Sequence, residues 1–247
     1  MNSAESEPDQ PPAGTEVESL RHLVVTATQQ LLGDTISVSD EDWRAPSRLP
    51  GWTRGHVATH LARQADALRR LIDGARTGQP AEMYPEPGQR DLEIDAGAPR
   101  SGLELQIDLD TAAGALSDAF EAVEQEESWD AVVELRGGDK APVRLLPLAR
   151  LAEVVLHHVD LDIGLDIEDV DEPTAAWLLE WLAFRLGSRA DFPRVRVVSD
   201  SGMTLVIGAD GDPVEVRGSS PALLGWLTGR GTGDGVTGAN DLQLPPF

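Results

Sequence analysis

Two short segments of this chain each place two potential metal ligands four positions apart. In the first segment they are His56 and His60, and in the second they are Glu153 and His157. Residues i and i+4 lie on one face of an α-helix, so each segment, if helical, directs two ligands towards one point. Two such helices packed side by side could hold a single ion.

The composition restricts the chemistry of such a site. The chain contains no cysteine, so the thiolate ligands typical of structural zinc sites are absent. Two imidazoles and one carboxylate leave a coordination position open for water or substrate, which is typical of a catalytic metal. Any thiol chemistry at this site must use a thiol that comes from outside the chain.

Charge and hydropathy argue against several classes of partner. The 247 residues include 43 acidic and 20 basic side chains, and the net charge is -23. Such a surface disfavours nucleic acid and anionic membrane, and it favours a monomer. No stretch reaches the roughly 20 apolar residues that span a bilayer, and residues 1–15 lack the apolar region of a signal peptide. We therefore expect a cytoplasmic protein in which residues 1–15 form a disordered tail.

Apolar residues at three- and four-residue spacing predict four long helices in the first two thirds of the chain. Their predicted ranges are 16–32, 53–75, 101–123 and 147–164. Gly33 is expected to end the first helix, and Thr53 to cap the second. A long connection rich in proline and glycine follows the second helix. A β-hairpin over 129–146, with strands at 131–135 and 143–146, precedes the fourth helix.

The fourth helix shows the clearest pattern. Glu153, His157 and Asp160 fall within roughly 60° of one another around its axis, and most of the remaining circumference is apolar. Such a narrow polar stripe is typical of a helix that faces an interior site, and a metal in the core of a four-helix bundle is a known architecture. Asp160 either orients a ligand or marks the helix end.

From about residue 167 the pattern changes to that of a small α+β unit. Helices are predicted to begin at Asp171 and to span 219–227. Between them lie three strand-like runs, which we expect to form an antiparallel sheet, at 194–198, 204–207 and 214–216. The sequence therefore predicts a mainly α protein with an α+β portion, in two domains of residues 16–166 and 167–247.

Several motifs, in the same order along the chain, resemble the mycothiol-dependent maleylpyruvate isomerase family. They are Leu49-Pro-Gly-Trp-Thr-Arg-Gly-His56 with His60, Met83-Tyr84-Pro85 with Arg90, Glu153-Val-Val-Leu-His157 with Val159-Asp160-Leu161, and Gly229-Arg230-Gly231. The resemblance covers nearly the whole chain after the tail. It implies a DinB-like four-helix bundle that carries the β-hairpin as an insertion, followed by a small C-terminal α/β domain.

The same resemblance implies a function and a set of site residues. Zinc would be bound by His60, Glu153 and His157, and mycothiol would be the thiol cofactor. Arg90 and Arg230 would face the active site, Arg230 from the second domain, as cofactor-binding and catalytic residues. The substrate would be a dicarboxylate, and arginine pairs well with carboxylates through two parallel hydrogen bonds. The implied reaction converts maleylpyruvate to fumarylpyruvate by reversible thiolate addition.

The residues themselves leave alternatives open. His60, Glu153 and His157 could instead form a buried hydrogen-bonded cluster, and His56 competes with His60 as a ligand. Arg90 and Arg230 could instead be solvated loop side chains. Other side chains near the motifs have structural interpretations: Trp52 as core, Arg54 as a surface or capping residue, and His158 as a structural or surface residue pointing about 100° away from the ligand face.

The function also has alternatives. A mycothiol S-transferase that acts on another electrophile would use the same bundle and metal, and a non-catalytic binding module would use the histidines structurally. The substrate could be maleylpyruvate or another electrophile, and the thiol could be mycothiol or another low-molecular-weight thiol.

Overall fold

The computed structural model describes residues 14–239 and 242–245, so most of the predicted tail at 1–15 lies outside the described residues. The chain divides into two compact units between Gly164 and Leu165, two residues before the predicted boundary. That each unit is a separate domain stays a prediction. Among the helices described, none is both long and apolar enough to cross a bilayer.

The first unit is a four-helix bundle with two short helices and a hairpin. Its helices are α1 Gly14–Thr35, α2 Asp40–Arg44, α3 Arg54–Thr77, α4 Gln89–Gly97, α5 Gly102–Gln125 and α6 Leu146–Leu161. The long helices form the bundle: α3 packs against α5 and α6, and α1 packs against α6 and α5. The predicted four long helices and the mainly helical fold are confirmed.

Local sequence explains where α3 begins and ends and how α4 packs on it. The Thr53 side chain accepts a hydrogen bond from the His56 amide, and Gly78 ends the helix in the left-handed conformation. Gly55 allows a close approach of the chain just after α4, because a Cβ there would lie 2.2 Å from the Ala98 carbonyl oxygen. This contact fixes α4 against the first turn of α3.

Helix α6 is buried on almost every side. Pro147 lies in its first turn, where a missing amide hydrogen costs nothing. Apolar side chains such as Leu151, Val155 and Val159 are at most 6% exposed. Asp162 follows the helix in the left-handed conformation and serves as its C-cap, so the helix stops before Gly164, where the sequence predicted its end.

Some predicted boundaries in the first unit are wrong. Helix α1 continues through Gly33 to Thr35, because a glycine costs only about 1 kcal/mol in a helix and packing offsets it. Helices α2 and α4 were not predicted, since each is too short to show a clear apolar period. The segment Val143–Leu145 is a 3-10 turn rather than a strand.

The second strand of the hairpin lies earlier in the chain than the predicted 143–146. Strand β1, Val132–Glu134, pairs antiparallel with β2, Lys140–Pro142, so that Val133 lies opposite Ala141. Gly137 and Gly138, both with positive φ, form the turn. The turn therefore sets a register that ends pairing at Pro142.

The second unit combines two helices with a three-stranded sheet. Its elements are α7 Glu172–Leu186, β3 Val195–Ser199, β4 Thr204–Ile207, β5 Val214–Gly218 and α8 Ser220–Thr228. The strand order is β4-β3-β5, with β3 antiparallel to β4 and parallel to β5. The prediction of an antiparallel sheet is wrong for β5, because β4 carries the chain back and β5 then pairs with the opposite edge of β3.

Candidate metal centre

Three side chains from α3 and α6 converge inside the bundle. The Nε2 atom of His60 lies 3.0 Å from Oε2 of Glu153 and 3.1 Å from Nε2 of His157. The third side of this triangle, from His157 Nε2 to Glu153 Oε2, is 3.3 Å. His60 is 5% exposed, and Glu153 and His157 are half-buried, so the cluster is largely shielded from solvent.

The donor set and spacing fit a zinc ion. Ligands about 2.1 Å from zinc in tetrahedral geometry lie about 3.4 Å from one another, close to the three separations in the cluster. Within the described residues, this is also the one group of three or more His, Cys, Asp or Glu side chains arranged to hold a metal. Three protein ligands leave a fourth position for an exogenous molecule.

Asp160 fixes the orientation of His157. Its Oδ2 lies 2.7 Å from Nδ1 of His157, and the carboxylate is 1% exposed. A proton held on Nδ1 by a carboxylate leaves the Nε2 lone pair directed at the cluster, as in the carboxylate–histidine–zinc arrangement. Of the two roles considered for Asp160, the hydrogen bond to a cluster histidine is the one present.

The protonation preferences of the cluster favour a bound cation. Burial raises the pKa of Glu153, but hydrogen bonds with His157 and His60 outweigh burial and hold this pKa well below its ordinary value. Burial lowers the pKa of His60. For His157 burial also lowers the pKa, but hydrogen bonds with Asp160 and Glu153 outweigh it and the pKa is raised. The site thus keeps a carboxylate anion that attracts either a proton on His157 or a metal ion.

His56 has a different role from His60. Its Nδ1 accepts a hydrogen bond from the Thr53 amide at 3.2 Å, while Thr53 caps the His56 amide in return. This reciprocal pair is a capping box at the start of α3. The other ring nitrogen, Nε2, lies 3.8 Å from Asp95, so the ring is directed at α4 and is not part of the cluster.

Trp52 lies at the site rather than in the core, where the sequence placed it. Its ring stacks on His56 and meets the His60 ring edge-on, with centroids 5.6 Å apart. The Arg90 guanidinium lies over the same indole, 5.5 Å from its centroid. A single aromatic side chain therefore joins the start of α3 to α4.

Arg90 is adjacent to the cluster. Its Nη2 lies 3.4 Å from Nδ1 of His60, and its Nη1 donates to Asp91 at 2.8 Å. Asp91 is largely exposed, so this ion pair is weak and a carboxylate ligand could replace it. The structure thus places Arg90 next to His60, one of the three predicted metal ligands.

Arg150 is a buried cation that the sequence analysis did not single out. It lies one turn before Glu153, is 1% exposed, and donates from Nη1 to the Leu61 carbonyl at 2.8 Å and to Gln64 at 2.7 Å. Burial lowers its pKa to about 10, so it stays charged at neutral pH. Arg150 thereby links α6 to the turn of α3 that follows His60. The sequence signal that could have identified Arg150 is that it is the one arginine in an otherwise mostly apolar helix.

Arg54 ties the start of α3 to the end of α6. Its guanidinium donates to the Leu161 and Asp162 carbonyls at 2.6 and 2.9 Å, and Arg48 donates from Nε to the Asp162 carboxylate at 3.0 Å. The two Arg54 bonds satisfy carbonyls that have no partner within the helix. The interpretation of Arg54 as a capping residue therefore holds for α6 rather than for α3.

The remaining predicted residues lie away from the cluster or in the other unit. His158 is 2% exposed, and its Nε2 lies 3.2 Å from Asp34, so it is structural. Arg230 belongs to the second unit, where it is half-buried and donates to the Thr228 carbonyl at 3.2 Å. Gly231 next to it packs against Gly225 of α8. A role for Arg230 at the active site stays a prediction.

Comparison with known proteins agrees with the motifs. The family model described as "Mycothiol maleylpyruvate isomerase N-terminal domain" matches residues 24–162. The chain belongs to this family. The match contains the three cluster residues and Arg90, whereas Arg230 lies beyond it. No curated protein sequence matches the chain significantly.

Solved structures support the same assignment over most of the chain. A crystal structure of the mycothiol-dependent maleylpyruvate isomerase is similar with a TM-score of 0.82 and 26% identity, covering 93% of this chain and 96% of that one. A histidine-to-alanine mutant of that enzyme gives a TM-score of 0.81 at 26% identity and the same coverage. The predicted fold, a helical bundle with a hairpin followed by a small α/β portion, is confirmed.

Proposed function

We propose that this protein binds zinc through His60, Glu153 and His157 and catalyses the mycothiol-dependent conversion of maleylpyruvate to fumarylpyruvate. One observation carries the proposal. Two imidazole nitrogens and a carboxylate oxygen lie within 3.3 Å of one another in a chain that resembles a mycothiol-dependent maleylpyruvate isomerase over 93% of its length.

Zinc and mycothiol would together supply the nucleophile. Zinc held by His60, Glu153 and His157 would keep a net positive charge and would lower the pKa of a thiol bound to it. The thiol supplies a sulfur that adds reversibly to the double bond, so the C–S bond formed on addition breaks on elimination and the thiol is regenerated. While that carbon–carbon bond is single, rotation interconverts the cis and trans isomers.

The protein's own residues prepare this chemistry. Asp160 holds the Nδ1 proton of His157 and keeps Nε2 free for the metal. Arg150 and its partner Gln64 hold α6 against α3 beneath the ligands. Arg90, which lies over Trp52 beside His60, is placed to bind a substrate carboxylate.

Arg230 is assigned a second charge-binding role. Negative charge develops on the substrate during addition, and forked cations stabilise such charge. We assign Arg230 this role because its motif, Gly229-Arg230-Gly231, matches the family pattern. The net charge of -23 makes such local cations necessary for a dianionic substrate, and it supports a monomer.

The direct test follows maleylpyruvate absorbance with zinc-loaded protein, with and without mycothiol, while free thiol is titrated in the same sample. Isomerisation that needs mycothiol but does not consume it supports the proposal. Consumption of the thiol would instead establish an S-transferase. If neither quantity changes and the protein purified without chelator contains no zinc, the cluster is structural and the protein is a binding module.

A further inference from the structure

A cleft of about 980 Å³ opens beside Arg90 in the first unit. Its walls are the end of α3, the connection 78–88, the start of α4 and the β-hairpin. Tyr84, in the middle of the connection, lines the cleft together with Arg90. It is the one tyrosine in the sequence, and the reaction proposed above gives it no role.

The backbone on one side of Tyr84 is held in place by two elements. From α3, Arg70 donates to the Met83 carbonyl from Nε at 3.2 Å and from Nη2 at 2.5 Å. From the hairpin turn, the Arg136 amide donates to the Met83 sulfur at 3.2 Å. The Arg70 guanidinium also lies over the Tyr84 ring, 5.8 Å from its centroid. The phenol is therefore positioned by packing rather than by a bond to its hydroxyl.

Tyr84 lines the same cleft as Arg90, and its hydroxyl makes no hydrogen bond within the described residues. This hydroxyl is not among the buried side-chain atoms that lack a partner, so it is accessible to a molecule that enters the cleft. Burial raises the pKa of Tyr84, the charge of Arg90 lowers it, and the charge of Glu153 raises it. Since the net shift is upward, the phenol keeps its proton at neutral pH and acts as a donor.

We propose that Tyr84 is a further catalytic residue, whose hydroxyl donates a hydrogen bond to the carbonyl oxygen of the substrate. This inference rests on the proposed isomerisation. Addition of the thiolate forms a C–S bond and moves the electron pair of the double bond onto that oxygen, and elimination returns it. Tyr84 keeps its proton throughout and stabilises the charge, so no further reactant is needed.

Tyr84 and Arg90 present different hydrogen-bond donors to a substrate. A guanidinium presents parallel donors that match the two oxygens of a carboxylate, whereas a phenol presents one donor that matches a single oxygen. Arg90 already holds a carboxylate, that of Asp91, through Nη1. Tyr84 is thus suited to the carbonyl and Arg90 to a carboxylate of the same substrate.

The first test compares Tyr84→Phe with the parent protein in zinc content, kcat and KM. We expect unchanged zinc, a KM within about threefold of the parent value, and a kcat lower by about 100-fold, as when one donor to a developing oxyanion is removed. Thr77→Val is the matched control, because it also removes one hydroxyl, which donates to the Asp73 carbonyl at the exposed end of α3. An unchanged kcat in Tyr84→Phe would overturn the inference.

A second test does not depend on turnover. Because the chain has one tyrosine, labelling with [13Cζ]tyrosine gives a single NMR signal that reports on the phenol oxygen. Maleylpyruvate added to zinc-loaded protein without thiol should shift this signal saturably, while an unshifted signal at saturating maleylpyruvate would contradict contact. If the parent protein shows no thiol-dependent isomerisation, the proposed function fails; if the parent is active and Tyr84→Phe equals it, only the role of Tyr84 fails.

Discussion

Helices α3 and α6 carry the same spacing of ligand-type residues but use it differently. On α6 both members of the pair, Glu153 and His157, enter the cluster, whereas on α3 only His60 does and His56 caps the helix. The difference comes from position along the helix. His56 is the third residue of α3, where a side chain can reach back to the capping residue, while Glu153 and His157 lie well inside α6. Spacing therefore identifies a shared face, and distance from the helix start decides whether both residues serve the site.

The surroundings of the two cluster histidines differ as well. The Nδ1 of His157 meets a buried carboxylate, that of Asp160, whereas the Nδ1 of His60 lies 3.4 Å from the guanidinium of Arg90. A guanidinium can only donate, so it does not hold a proton on His60 as Asp160 does on His157. The α6 half of the site is thus the more strongly pre-organised, and this asymmetry can be tested.

Acidification should release zinc, and the α6 histidine should respond first. Burial lowers the pKa of His157, but hydrogen bonds with Asp160 and Glu153 outweigh it and raise the pKa, whereas burial lowers that of His60. Zinc must displace the proton from His157 at pH values where His60 is already neutral. Between pH 7.5 and 5.5 we expect zinc affinity to fall by about 10- to 100-fold, because one displaced proton contributes at most a factor of ten per pH unit. Competition with a chelator measures it, and a pH-independent affinity would contradict this order.

Loss of the buried cation that joins the two helices should have the largest effect on stability. Arg150→Ala leaves a cavity and removes the partner of the buried Gln64 amide, so we expect a loss of about 3 kcal/mol in the free energy of unfolding. Urea denaturation of chelator-treated protein measures this change. Arg69→Ala is the control, because Arg69 makes an exposed ion pair with Asp73 on α3, and it should cost less than about 0.5 kcal/mol. Equal effects of the two variants would show that Arg150 does not link the helices.

Removal of the carboxylate behind His157 should weaken the α6 half of the site. In Asp160→Asn the Nδ1 proton of His157 loses its charged acceptor, and we expect zinc affinity to drop by about 10- to 100-fold. Asp34→Asn removes the carboxylate beside His158, outside the cluster, and should leave zinc affinity unchanged. Titration with a competing zinc indicator separates the two variants. A full-affinity Asp160→Asn would remove Asp160 from the account.

Removal of the first α3 histidine should affect the fold and not the metal. His56→Ala loses the acceptor for the Thr53 amide, and we expect the free energy of unfolding to fall by about 1 kcal/mol. Urea denaturation of chelator-treated protein gives this value. A loss larger than about 3 kcal/mol would mean that His56 has a role beyond capping.

Part of this site could be predicted from sequence because its signals are local. The polar stripe of α6 and the spacing on α3 indicated which residues converge, and Thr53 indicated where α3 begins. The Thr53-x-x-His56 capping box was also readable locally, but four-residue spacing of the histidines drew the ligand interpretation instead. The fold class was predictable for the same reason, since long amphipathic helices carry strong periodicity.

The remainder depends on contacts between residues distant in sequence. Trp52 looked like core, yet its ring lies between His60 and Arg90, an arrangement set by how α4 packs on α3. The short α4, which carries Arg90, has too few apolar residues to show a period. Likewise, the parallel pairing of β5 with β3 depends on which sheet edge the chain reaches, and strand sequences alone do not encode that choice.

Zinc stoichiometry in alanine variants of the two spaced pairs tests the central claim most directly. His60→Ala, Glu153→Ala, His157→Ala and His56→Ala are purified in parallel without chelator, and zinc per chain is measured by elemental analysis. The account predicts about one zinc per chain in the parent protein and in His56→Ala, and a loss of most zinc in the other three. Full zinc in His60→Ala and His157→Ala, or none in the parent protein, would contradict it.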